Sequence, residues 1–201
     1  SHGSKVKLPD GSEREMTGVE KGATWWYRAG TGGGAMLDYC CYGACVSRLF
    51  VGAPATAVTG MAANINSHYG SADDNAVFTV RFPKALAIIE ATWTCVDHGI
   101  PSGPIIYGTT GTIVVERFHD GQIARLYRGR GRTPEVYEGG EYPPGRATLA
   151  QEVLNHLATG APVHETLQAE FNLQAMAILD AGIRSVASGK TELVDDATWC
   201  V

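Results

Sequence analysis

The connections between apolar runs in the middle of the chain restrict its fold more than any other feature. Residues 56–66, 76–82, 86–96, 104–108, 112–118 and 122–127 are short runs rich in Val, Ile, Thr and aromatic residues, the composition of strands. Pro83-Lys84, Thr109-Thr110 and Asp120-Gly121 join neighbouring runs. A parallel pair needs a crossover of about a dozen residues or more, so these neighbours must pair antiparallel as a meander. Ala76, Phe78, Val80 and Phe82 alternate with Val77, Thr79 and Arg81, which makes one face apolar and the other partly polar. Residues 129–146, rich in Gly, Pro and Arg, read as an exposed loop with one more edge strand near Val136.

Helical periods flank the meander. From 35 to 50, Met36, Leu37, Cys40, Cys41, Ala44, Cys45 and Leu49 recur at steps of three and four, and Gly52 with Pro54 ends the pattern. Leu149, Val153, Leu154 and Leu157 share one side of a helix over 148–159. Phe171, Ala175, Ile178, Leu179, Gly182 and Val186 form a stripe over 164–188, closed by Gly189. Residues 5–31, with a turn at Pro9-Asp10-Gly11 and the aromatic run Trp25-Trp26-Tyr27, read as a weak strand and a long loop. Ser1-His2-Gly3-Ser4 resembles an expression scar. The expected fold is a single α+β domain over 5–201, an open, largely antiparallel sheet with helices on one face and no Rossmann domain.

Composition excludes several classes. At 44% hydrophobic and 18% charged residues the chain is globular. It has no apolar stretch of about 18 residues and no signal-like start, so the expectation is a cytoplasmic protein without a membrane partner. Sixteen Lys and Arg against 21 Asp and Glu leave a net charge of -5, which argues against nucleic acid. Five cysteines, three of them crowded at 40, 41 and 45, suit reduced thiols better than a disulfide framework.

Gly30-Thr31-Gly32-Gly33-Gly34-Ala35 matches the G-x-G-x-x-A of a dinucleotide-binding turn and opens a helix. A bulky loop precedes it, no acidic residue lies in the strand run after the helix, and a meander follows. Close backbone packing, or the approach of a ligand to a helix start, is the simpler reading. Asp38 and Tyr42, four residues apart, lie about 40° and ~6 Å apart on one helix face. A carboxylate beside a phenol can orient it or share in proton transfer. Spacing alone equally describes a surface pair.

The run Gly32-Gly33-Gly34-Ala35-Met36-Leu37-Asp38-Tyr39-Cys40-Cys41-Tyr42 resembles the G-G-G-x-L-x-D-x-G-x-H signature that opens the second domain of the Gfo/Idh/MocA family of NAD(P)-dependent sugar and polyol oxidoreductases. Residues 74–82 and 85–93 resemble that family's sheet strands, Tyr107-Gly108-Thr109-Thr110-Gly111-Thr112 resembles its Y-G-T-x-G-T hairpin, and 165–189 is similar to its closing helix. The resemblance runs from about Trp25 to Val194. It implies that Asp38 and Tyr42 line the substrate pocket as catalytic residues, at a helix start opened by Gly33 and Gly34. Arg28, tethered to the same helix start, is a candidate for substrate binding at the pocket's mouth, and a surface arginine is an equal reading of it. Tyr42 stands where His is commonest, as in members resembling glucose-fructose oxidoreductase and the dimeric dihydrodiol dehydrogenases. Cys40 stands in place of a glycine.

The family's cofactor fold and the Lys of its E-K-P motif lie N-terminal to such a domain. Glu20-Lys21-Gly22 imitates the motif only by eye, and Lys21 is expected to be solvated. The resemblance therefore implies a substrate-binding and oligomerisation domain without its dinucleotide-binding half. NAD or NADP would be carried by that half and none by this chain, and the open sheet face would pack on another subunit in a homodimer or larger assembly. Two alternatives are a non-catalytic binding or assembly module of the same fold, and a stand-alone enzyme using Cys and His. Cys41 and Cys45 with His68, His98 or His119 form a metal set only by default, and no metal is expected. Asp97 with His98 reads as a solvated loop pair, Arg128, Arg130 and Arg132 as a flexible basic loop, and Trp93 as part of a sheet face.

Overall fold

The computed structural model describes residues 5–95, 103–118 and 121–194. Residues 1–4, Asp97, His98 and His119 lie outside the described residues. The elements are β1 (Lys5–Lys7), β2 (Glu13–Glu15), α1 (Gly18–Ala23), α2 (Ala35–Val51), β3 (Ala57–Ala63), β4 (Asn75–Arg81), β5 (Leu86–Thr92), β6 (Ile105–Gly108), β7 (Gly111–Phe118), β8 (Gly121–Tyr127), β9 (Glu135–Glu138), α3 (Leu149–Thr159), α4 (Ala169–Ser188) and β10 (Glu192–Leu193). Every strand pair among the described residues is antiparallel, and the fold is α+β. The strands form a β1-β2 hairpin and two open four-stranded sheets, ordered β10-β3-β4-β5 and β6-β7-β8-β9.

The chain divides into two compact units. One comprises the residues up to Thr94 and those from His164 onward. Its sheet carries α2 and α4 on one face, and its core is built from Val58, Phe78, Val80, Ile89, Cys40, Ala44, Ile178 and Leu179. The alternation read from β4 places Ala76, Phe78 and Val80 inward and Val77 and Thr79 outward. Helix and sheet meet closely where Gly182 crosses Phe78. A Cβ there would lie 2.2 Å from the ring, so the helix needs a hydrogen at that position. Ser185, fully buried on α4, accepts the Gly60 amide at 2.9 Å and donates to the Lys190 carbonyl, tying β3 to the helix and its C-terminal turn.

The second unit, Cys95–Val163, holds the β6-β7-β8-β9 sheet and α3. The apolar side of α3, with Leu149, Val153, Leu154 and Leu157, is exposed, whereas Glu152 is the buried residue of α3, its carboxylate held by Arg146 through two bonds of 2.7 Å.

The N-terminal reading is corrected. Residues 5–15 form a true hairpin, and the supposed loop contains α1, started by a capping box in which Thr17 and Glu20 satisfy each other's backbone amides. The sequence signal was Thr17-Gly18-Val19-Glu20. Arg14 clamps the same Glu20 carboxylate at 2.6 and 2.8 Å and, with the Thr17 bonds, holds it down at about 2. Lys21 is not solvated: its side chain is 15% exposed, its ammonium lying 5.3 Å from the Tyr69 ring centre and 3.9 Å from Glu15.

Candidate functional site

The start of α2 forms one wall of a cleft. Two 3-10 turns, Trp25–Tyr27 and Ala29–Thr31, bring the chain to Gly32, Gly33 and Gly34. The glycines at 33 and 34 are dictated by space. A Cβ on Gly33 would lie 2.3 Å from the Trp26 carbonyl oxygen, and one on Gly34 would lie 2.4 Å from the Asp73 carboxylate. Gly34 also adopts φ 120°, which side-chain-bearing residues avoid.

Gly34 has no side chain with which to cap α2. Asp73 does so from across the fold: its carboxylate accepts the Met36 amide at 2.7 Å and its carbonyl accepts the Ala35 amide at 3.0 Å. Burial pushes the Asp73 carboxyl up, against the pull of the Met36 amide. Next to it, Asp74 is completely buried and accepts the amides of Ile65, Asn66 and Ser67 at 2.6–2.8 Å and the Asn75 side-chain amide at 2.8 Å. Burial raises that carboxyl, but these donors outweigh it and hold it at about 2.

The cleft has a volume of about 220 Å³. Trp25 and Trp26, stacked with centroids 3.8 Å apart, line it together with Gly32, Gly33 and Gly34, and Leu37, Asp38, Cys41 and Tyr42 come from α2. Asp38, Tyr42, Gly33 and Gly34 are thus brought together. Tyr42 is 65% exposed on the rim. Arg28 does not line the cleft: its guanidinium donates to the Gly22 carbonyl at 3.2 Å, and its own carbonyl accepts the Gly33 amide at 3.0 Å, so its part is in shaping the turn.

Sequence reasoning missed Trp93. It lies just after β5 rather than on a sheet face, is almost fully buried edge-on against Tyr27, and its indole nitrogen donates to Asp38 Oδ2 at 3.0 Å. That bond fixes the carboxylate at the cleft. Asp73 was equally invisible to spacing arguments.

The cysteines on α2 are thiols that burial pushes up, Cys40 to about 12. Cys41 donates weakly to the Asp38 carbonyl. Among the described residues no three His, Cys, Asp or Glu side chains could together hold a metal ion, and His68 is exposed. No helix is long and apolar enough to cross a membrane among the described residues. The glycine turn does not fit a dinucleotide: a 3-10 turn rather than a strand leads into it, and β3 after the helix pairs antiparallel with both neighbours.

A family model described as the GFO/IDH/MocA C-terminal domain matches residues 10–114. No curated protein matches the chain. Among solved structures, an aldose-aldose oxidoreductase from Caulobacter crescentus complexed with glycerol superimposes with a TM-score of 0.67 at 18% identity, over 85% of this chain and 51% of that one. An oxidoreductase from Agrobacterium radiobacter in complex with NAD+, L-tartaric acid and magnesium gives 0.65 at 18% identity, over 90% and 54%. An NAD binding oxidoreductase from Klebsiella pneumoniae gives 0.66 at 19%, over 86% and 54%. The likeness is one of fold, and the chain spans about half the length of these structures.

Proposed function

Because the chain belongs to the GFO/IDH/MocA C-terminal domain family, we propose that it is the substrate-binding and oligomerisation domain of an NAD(P)-dependent oxidoreductase acting on a sugar, a polyol or a related hydroxyl or carbonyl compound. The observation that carries the reading is the cleft, in which an aromatic wall, a floor of bare backbone and two proton-handling side chains converge. Its 220 Å³ is below the roughly 300–1,000 Å³ of a complete small-molecule site, as suits one wall of a shared site. NAD or NADP belongs to a dinucleotide-binding domain beyond this chain, and the NAD named for two of the structural relatives supports that assignment.

The chain's own residues bind and orient. The Trp25 and Trp26 rings suit the apolar C–H faces of a sugar, and the glycines allow it to approach the start of α2. Asp38, anchored by Trp93, accepts a hydrogen bond from a substrate hydroxyl, and Tyr42 gives or takes a proton at its phenol oxygen. Arg28 acts at one remove, by holding the glycine turn. The outer face of the β3-β4-β5 sheet, where Met61, Leu86 and Ile88 are exposed, is the surface for a second copy. The thiol state of the α2 cysteines accords with a cytoplasmic setting.

The test is the oxidoreductase activity of the complete protein on sugars and polyols. Tyr42→Phe and Asp38→Asn should each lower kcat by roughly 10²-fold or more, the range of general acid–base catalysis, with NAD(P) affinity unchanged. Full activity in both variants would remove the cleft from the mechanism.

A further inference from the structure

The second compact unit carries a groove that the reading above leaves unused. Thr112 pairs with Tyr127 and Gly108 with Gly111, so the Thr109-Thr110 hairpin tip and the loop that follows β8 emerge at the same end of the sheet. Between them lies a groove of about 670 Å³ lined by Thr109, Thr110, Thr112, Tyr127, Arg128, Arg130 and Arg132 between glycines, with no carboxylate among the described residues that line it. The walls are close-packed at their base: a Cβ on Gly111 would lie 2.9 Å from the Tyr127 carbonyl oxygen. Gly131, at φ 74°, turns the loop, and the Arg132 amide donates to the Gly129 carbonyl. Arg128, Arg130 and Arg132 thereby line one groove.

Their charges are not equally spent. Glu135 pairs with Arg128 at 2.6 Å, whereas Arg130 and Arg132 have no ion-pair partner among the described residues. In a chain of net charge -5, two arginines without an ion-pair partner among the described residues, on a groove shared with three threonines, are a local exception. Forked guanidinium donors and hydroxyls together match the oxygens of a phosphoryl group.

We propose that this groove binds the phosphoryl group of a small phosphorylated ligand. The volume exceeds what one phosphate fills, which leaves room for the organic part along the threonine hairpin. Two open cations on an acidic protein are too few to hold a nucleic-acid backbone, whose binding grows with the number of phosphates neutralised.

Titration of the full chain with inorganic phosphate and with ribose 5-phosphate, followed by calorimetry and by NMR of the arginine and threonine resonances, tests this. Both probes should bind saturably, and ribose 5-phosphate more tightly. Arg130→Ala and Arg132→Ala, both exposed and so compatible with folding, should each weaken binding roughly tenfold, the equivalent of one charge-assisted hydrogen bond. Arg130→Lys should restore only part of the loss. Equal affinity for the two probes would reassign the groove to free phosphate. Absence of saturable binding, an affinity unchanged in the double alanine variant, or tighter binding of a single-stranded oligonucleotide than of ribose 5-phosphate would overturn the proposal.

Discussion

Asp74 shows how much one side chain can organise. Four donors converge on its buried carboxylate, three of them backbone amides of the turn that follows β3. Removing the acceptor in Asp74→Ala strands those amides and should cost at least about 3 kcal/mol in denaturant unfolding. Since the carboxyl titrates at about 2 in the folded protein against an ordinary 3.8, its contribution is fully present above about pH 4 and is lost as the pH falls toward about 2. Stability measured across that window should fall steeply in the unmodified protein and less so in Asp74→Asn. An identical slope in the two would mean the carboxylate is not held as described. Asp38 and Tyr42 were legible as a pair because helical spacing is local. Trp93 was not, since its bond to Asp38 spans 55 positions and nothing near Trp93 in sequence announces it.

Elements form here partly from their own sequence and partly from borrowed caps. The bounds of α2 were readable from apolar spacing and from Gly52, which closes the helix at φ 68°. Its N-terminus was not, because the cap comes from Asp73 rather than from Gly34. Gly34→Ala should therefore destabilise the fold by about 2 kcal/mol or more, through both φ strain and collision with Asp73, and it should disturb the cleft. Chemical denaturation with tryptophan fluorescence reads both effects, and a variant as stable as the parent would contradict the cap geometry. By contrast α1 carried its own signal, the capping box, which apolar periodicity could not detect in a helix of 6 residues with none buried. For α3 the periodicity was real, yet it described the exposed side. An apolar stripe marks a face that some surface can cover, and the chain's own packing on Glu152 and Arg146 won the other side.

At the scale of the molecule, the first unit buries one sheet face beneath α2 and α4, and on its other face Met61, Leu86 and Ile88 are exposed. Ile88, 70% exposed on that outer face, is the natural probe of the proposed assembly. Ile88→Lys should leave the fold intact and lower the mass measured by light scattering toward that of a single chain, whereas an unchanged mass would move the interface elsewhere. What the sequence determined by itself was the antiparallel α+β plan, because connection length and side-chain alternation act between neighbours. The sequence also placed Asp38 and Tyr42 on one helix face and put glycines where backbone must come close. Only the tertiary structure decided which distant groups complete the site. The Asp73 cap on Met36 spans 37 positions, and that cap and the Trp93 bond to Asp38 exist only once the sheet has packed against α2. Such contacts depend on the relative placement of whole elements, which no local pattern encodes.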